Sequence, residues 1–211
     1  MINELVKLAS KPIAKYVGLG VAGIATAVAS GFGVKKMNET IKKNKKDRFE
    51  KITLEIKNNL LGDYIILDSN IWMIARSEEY LLDFIFRFCA DNKKVVSIPS
   101  FQLKEFQKPK NDDDRYLKKT AKVRIEKFQD NGLVKIEHHN QKFNYIDDSL
   151  LDVILNKKTV YSKISLITED RELRIKAKAL NTGNINSNTI IVASISDLEK
   201  YYNDYRVFYK A

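Results

Sequence analysis

Acidic side chains recur in one kind of setting along this 211-residue chain. Asp68 closes the apolar run Tyr64-Ile-Ile-Leu67, and Glu105 follows Val95-Val-Ser-Ile98 and Pro99. Asp147 and Asp148 open a helical stretch, and Asp170 follows Ile164-Ser-Leu-Ile-Thr168. Each lies just after a predicted strand or at the start of a predicted helix. In an open α/β sheet, ligands sit at the carboxyl ends of the strands, so these acids can meet at one edge. Carboxylates about 4 Å apart repel by several kcal/mol even at moderate effective dielectric. A site that gathers three or four of them therefore needs cations. Hard oxygen ligands in that number suit Mg²⁺ or Mn²⁺. Such an ion activates water and stabilises an in-line displacement at a phosphate. Asp68 has a plainer reading as a helix N-cap, because Asp, Ser and Asn all cap well.

The elements that must position these acids alternate. Strands are predicted at Tyr64–Leu67, Val95–Ile98, Leu133–Glu137, Ile164–Thr168 and Thr189–Val192. Helices are predicted at Ile71–Cys89, from Phe101, and over Tyr116–Gln129, Ser149–Lys157, Arg171–Leu180 and Asp197–Tyr205. The run Asp112-Asp-Asp114 falls in a polar loop between them. Strands alternating with helices predict a parallel sheet covered on both faces. The expected fold class is α/β, a three-layer α/β/α domain with a mostly parallel sheet over residues 62–211. No internal repeat is visible.

Composition narrows the partners. Cys89 is the single cysteine, so no disulfide forms within the chain, and its apolar neighbours make it a core residue. Residues 1–51 carry +7 of the net +10, so the globular part is only mildly basic. Overall pI is therefore no proof of nucleic-acid binding. Tyr16 to Val34 is nineteen residues without a charge, about 29 Å as a helix and close to a bilayer's hydrocarbon core. Gly23, Ala27 and Gly31 fall at spacing four, as do Ala25, Ala29 and Gly33, ridges that let membrane helices approach closely. A single transmembrane anchor over residues 16–34 is the leading expectation. A cleaved signal peptide, from Ala27-Val28-Ala29, and a soluble glycine-rich oligomerisation helix are the alternatives. Eight Lys/Arg between Lys35 and Lys51, against three before the apolar run, place the C-terminal side in the cytoplasm. Residues 35–61 read as a basic helical linker, either solvated or in contact with lipid or RNA phosphates.

The acidic motifs resemble those of PIN-domain nucleases. Ile65-Ile-Leu-Asp68-Ser-Asn70 is similar to the first, a buried strand closing on Asp. Ser97-Ile-Pro-Ser-Phe-Gln-Leu-Lys-Glu105-Phe is similar to the second, and Asp147-Asp-Ser-Leu-Leu151 to the third. Thr168-Glu-Asp170-Arg-Glu-Leu-Arg-Ile-Lys-Ala177 resembles the fourth, with its Thr-x-Asp and basic helix. The resemblance covers about residues 62–200. It implies a metal-dependent ribonuclease cutting single-stranded RNA, with Mg²⁺ or Mn²⁺ held by the catalytic acids Asp68, Glu105, Asp147 and Asp170. Spacing does not choose between Asp147 and Asp148 as the ligand, because each has a leucine three residues on. Asn70 and Thr168 are the implied supporting groups, and Asp152 is an extra acid one turn beyond Asp148.

Other residues carry two readings each. Arg171, Arg174 and Lys176 either hold RNA phosphates or form a solvated helix face. Tyr201, Tyr202 and Tyr205 either stack bases or pack the last helix. His138 and His139 point to opposite faces of a strand and do not share an ion. Two rival functions remain: an inactive, membrane-tethered RNA-binding or adaptor module, and a haloacid-dehalogenase-type phosphatase. The phosphatase would want Asp where Asn70 stands. A homo-oligomer through the small-residue ridges, and an inhibitor or regulator supplied by another chain, are compatible partners.

Overall fold

A computed structural model describes residues 31–181 and 188–209 of the chain, with side chains for 39–181 and 188–207. Most of the apolar segment 16–34, and the anchor expectation that falls on it, lies outside the described residues. No helix among the described residues is long and apolar enough to cross a membrane. The chain divides into two compact units, at Glu50 and Lys51. The first is helical from Gly31 on, and its residues 39–48 are exposed.

The elements in order are α1 (Gly31–Leu60), β1 (Tyr64–Leu67), α2 (Ser69–Trp72), a 3₁₀ turn (Arg76–Glu78) and α3 (Glu79–Asp91). Next come β2 (Val96–Pro99), a 3₁₀ helix (Ser100–Phe106), α4 (Asp112–Asp130), β3 (Val134–Glu137) and α5 (Ile146–Lys157). The chain ends with β4 (Lys163–Ile167), α6 (Arg171–Ala179), β5 (Thr189–Ala193) and α7 (Ile195–Tyr209).

The five strands make one sheet in the order β3-β2-β1-β4-β5, with every pair parallel. From β1 the chain runs outward to β2 and β3, then returns to β4 on the other side of β1. The strand order reverses between β1 and β4, where open α/β sheets bind ligands. Leu67 is in register with Ile167, so Asp68 and Thr168 emerge side by side. Gly62 lets the two strands approach this closely. A Cβ there would stand 2.7 Å from the Lys163 carbonyl oxygen and 2.8 Å from the Ser165 nitrogen.

Side chains alternate across the sheet. Tyr64, Ile66 and Leu166 pack with Leu150, Val153 and Ile154 of α5 and with Leu173 and Ala177 of α6. Ile65 and Leu67 point to the other face and are fully buried. Phe86 of α3 stacks on Phe128 of α4, their centroids 3.7 Å apart. Tyr202 and Tyr205 pack on Phe84 of α3.

Three expectations about local structure are corrected. The helix predicted over Ile71–Cys89 is broken between Trp72 and Arg76. The guanidinium of Arg124, 2% exposed, donates to the carbonyls of Trp72 and Ile74 at 3.0 and 2.8 Å and holds the break open. The segment from Phe101 is 3₁₀ rather than α-helical. Asp112–Asp114 is the first turn of α4 instead of a loop. Asn111 caps it by accepting from Asp114 N at 2.8 Å, and acids suit the positive end of a helix.

Candidate metal and nuclease site

Asp68 leaves β1 in extended conformation and caps α2. The carboxylate is 3% exposed and fully engaged. Its Oδ1 accepts from Ser69 N at 2.7 Å, and its Oδ2 accepts from Asn70 Nδ2 and Thr168 Oγ1, both at 2.7 Å. The capping reading of Asp68 therefore holds, and its second oxygen also binds Asn70 and Thr168. Asn70 Oδ1 accepts from Glu169 N at 3.2 Å, and Asp170 N donates to Thr168 Oγ1 at 3.0 Å. Asp170 in turn caps α6, its Oδ1 accepting from Leu173 N at 2.8 Å. Asn70 and Thr168, the two supporting residues, thus lace the end of β1 to the end of β4.

The other acids arrive from the remaining turns. Burial raises the Glu105 carboxyl above its ordinary range; a Ser69 hydrogen bond opposes that, and the charges of Asp68 and Asp147 add to it. Asp147 is raised by burial and then by the charges of Asp68 and Asp170. Asp68 is raised by burial against the pull of Thr168 and Ser69, with Asp170 adding to the rise. Acids from four separated segments therefore act on one another at the carboxyl edge of the sheet.

The third motif opens α5 (Ile146–Lys157). Leu150 and Ile154 are fully buried and fix the rotation of α5. Asp147 precedes Leu150 by three residues and is carried on the same helical side. Asp148 is turned to Lys176 at 3.4 Å. Asp152 accepts from Lys142 Nζ at 2.9 Å and from Asn156 Nδ2 at 3.1 Å. Lys176 is also paired with Glu172 at 3.0 Å. Arg171 is exposed and Arg174 half-buried on the same helix. Sequence reasoning missed Ser69, whose Oγ lies 3.5 Å from Asp68 Oδ1, and it missed Glu169, whose carboxylate accepts from Ile195 N at the start of α7. Neither residue type announces such a role.

A sequence model of the PIN domain matches residues 65–186. The chain belongs to the PIN-domain family. No curated protein matches it. PIN domains are generally nucleases, generally use divalent metal ions and typically bind RNA. The donors at this PIN site are all hard oxygens, and Glu105 Oε2 is buried with no hydrogen-bond partner. Such a carboxylate oxygen, crowded by other negative charges, fits a divalent cation. Among the described residues, however, no group of three or more His, Cys, Asp or Glu is drawn together closely enough to hold an ion.

Proposed function

We propose that this PIN domain is an endoribonuclease that hydrolyses single-stranded RNA with a carboxylate-bound Mg²⁺ or Mn²⁺. The supporting observation is that Asn70 and Thr168 tie Asp68 to the segment carrying Asp170 at the strand-order reversal, where burial and neighbouring acids also raise the carboxyls of Asp68, Glu105 and Asp147. In this reading those four acids hold the cation, which when bound supplies an activated water and neutralises charge at the scissile phosphate. Asn70 and Thr168 fix the direction of the Asp68 carboxylate from two sides. Ser69 holds Glu105. Arg171 and Arg174 of α6 bind backbone phosphates as the strand leaves the site. Lys176 keeps Asp148 out of the ligand set.

The nuclease is tethered through residues 16–34, with its catalytic unit in the cytoplasm. That part rests on the uncharged run and on the lysines that follow it. Alkaline extraction of membranes tests it: the protein stays in the pellet if anchored and enters the supernatant if not.

The activity is tested by incubating the full chain with single-stranded RNA and Mn²⁺, beside Asp68→Asn and Asp170→Asn. Cleavage by the wild type alone is expected. Binding of RNA by all three without cleavage would leave the adaptor reading in its place.

A further inference from the structure

Gln102 is 1% exposed, yet both its amide atoms lack a hydrogen-bond partner. A primary amide is expensive to bury unpaired, and leucine at the same place would carry no such cost. Gln102 lies in the 3₁₀ helix that carries Glu105, and residues three apart in a 3₁₀ helix eclipse. The amide and the carboxylate therefore share one ridge. That helix packs on the Ser69–Trp72 turn. The same turn contributes a second buried group without a partner, Trp72 Nε1.

The unmatched groups on these two turns are complementary in kind. Trp72 Nε1 is only a donor, Gln102 brings one acceptor and one donor function, and Glu105 Oε2 is an acceptor. We propose that Gln102 is a positioning residue for Glu105, accepting from Trp72 Nε1 through Oε1 and donating to Glu105 Oε2 through Nε2. None of these atoms pairs with another directly, so each link passes through one bridging water, which buried polar groups readily recruit. The relay holds one carboxylate oxygen in the protein and presents the other to the site. This inference rests on the metal-dependent reading, because the relay is useful only if Glu105 ligates a cation. Groups of this kind behind a ligand typically change metal affinity by about 10- to 100-fold when removed.

The test is Mn²⁺ affinity of the full chain, read from the electron paramagnetic resonance signal of free Mn²⁺, for wild type, Gln102→Leu and Trp72→Phe. Metal-free circular dichroism establishes that each variant is folded. A merely structural role for Gln102 would move the unfolding midpoint and leave the affinity of folded protein alone. The relay predicts affinity about 10-fold or more weaker in Gln102→Leu, with a smaller loss in Trp72→Phe. Folded Gln102→Leu binding Mn²⁺ as tightly as wild type overturns the relay. If Gln102→Leu does not fold, unchanged affinity in Trp72→Phe overturns it, and weakened affinity supports it. Wild type that binds no Mn²⁺ removes the metal-dependent reading itself, and the relay with it.

Discussion

Glu105→Gln separates the cost of assembling the acids from their use. The Glu105 carboxylate is penalised by burial and by the charges of Asp68 and Asp147, with Ser69 and Lys118 opposing. Two unit charges 4 Å apart repel by about 4 kcal/mol at an effective dielectric of about 20. Partial exposure and salt reduce that, so a net gain of about 1 kcal/mol is expected for the neutral variant in metal-free buffer. For a chain of this size, about 1 kcal/mol moves the unfolding midpoint by about 2–4 °C. The sign follows from the raised carboxyl. Its protonated form is favoured by the fold, so wild type pays nothing below the unfolded value near 4.5. The cost grows as pH rises through the higher folded value. Thermal unfolding in chelator should then show Glu105→Gln above wild type at pH 7.5 and level with it at pH 4. Mn²⁺ at about 100 times its Kd should add about 2.7 kcal/mol to wild type and much less to the variant, so the order reverses. A variant less stable than wild type in chelator, or an order that does not reverse with Mn²⁺, would refute the reasoning.

Other expectations follow from neighbouring features. Gly62→Ala would drive a Cβ into the backbone of β4 and should lower stability by about 1–3 kcal/mol or more, measured by urea unfolding. Glu137 is 13% exposed, and although burial works against it, bonds from Lys157, His139 and Tyr64 take its carboxyl down to about 2. Its stabilisation is present above pH 4.5 and is lost as pH falls toward 2. Glu137→Gln should therefore cost about 2 kcal/mol at pH 7 and nothing near pH 2, as read by acid titration of ellipticity. Asp152→Asn and Asp148→Asn should leave Mn²⁺ affinity within about threefold of wild type, whereas Asp147→Asn should lower it by about 10-fold or more; isothermal titration distinguishes them.

The sheet was legible because each strand is a short apolar run with a polar stop, a pattern set locally. The parallel arrangement followed from the alternation. What was not legible came from distant partners. Nothing between Ile71 and Cys89 says the helix must break, since the residue responsible, Arg124, lies fifty residues downstream. Asp147 and Asp148 are equivalent in spacing, and their different surroundings, burial beside Asp147 and Lys176 beside Asp148, come from the packing of α5 and α6. The Asp112–Asp114 run looks like a loop until Asn111 is recognised as its cap. The unpaired amide of Gln102 is invisible in sequence, where glutamine before Leu-Lys-Glu reads as surface.

The central claim is that acids from four segments hold one cation centre. Crystals of the full chain grown with Mn²⁺, with anomalous scattering collected at the manganese edge, test it most directly. The account predicts a peak about 2.0–2.3 Å from carboxylate oxygens of at least three of Asp68, Glu105, Asp147 and Asp170. Saturating Mn²⁺ with no peak among these four, or with its peaks only at Asp148, Asp152 or the surface, would contradict it.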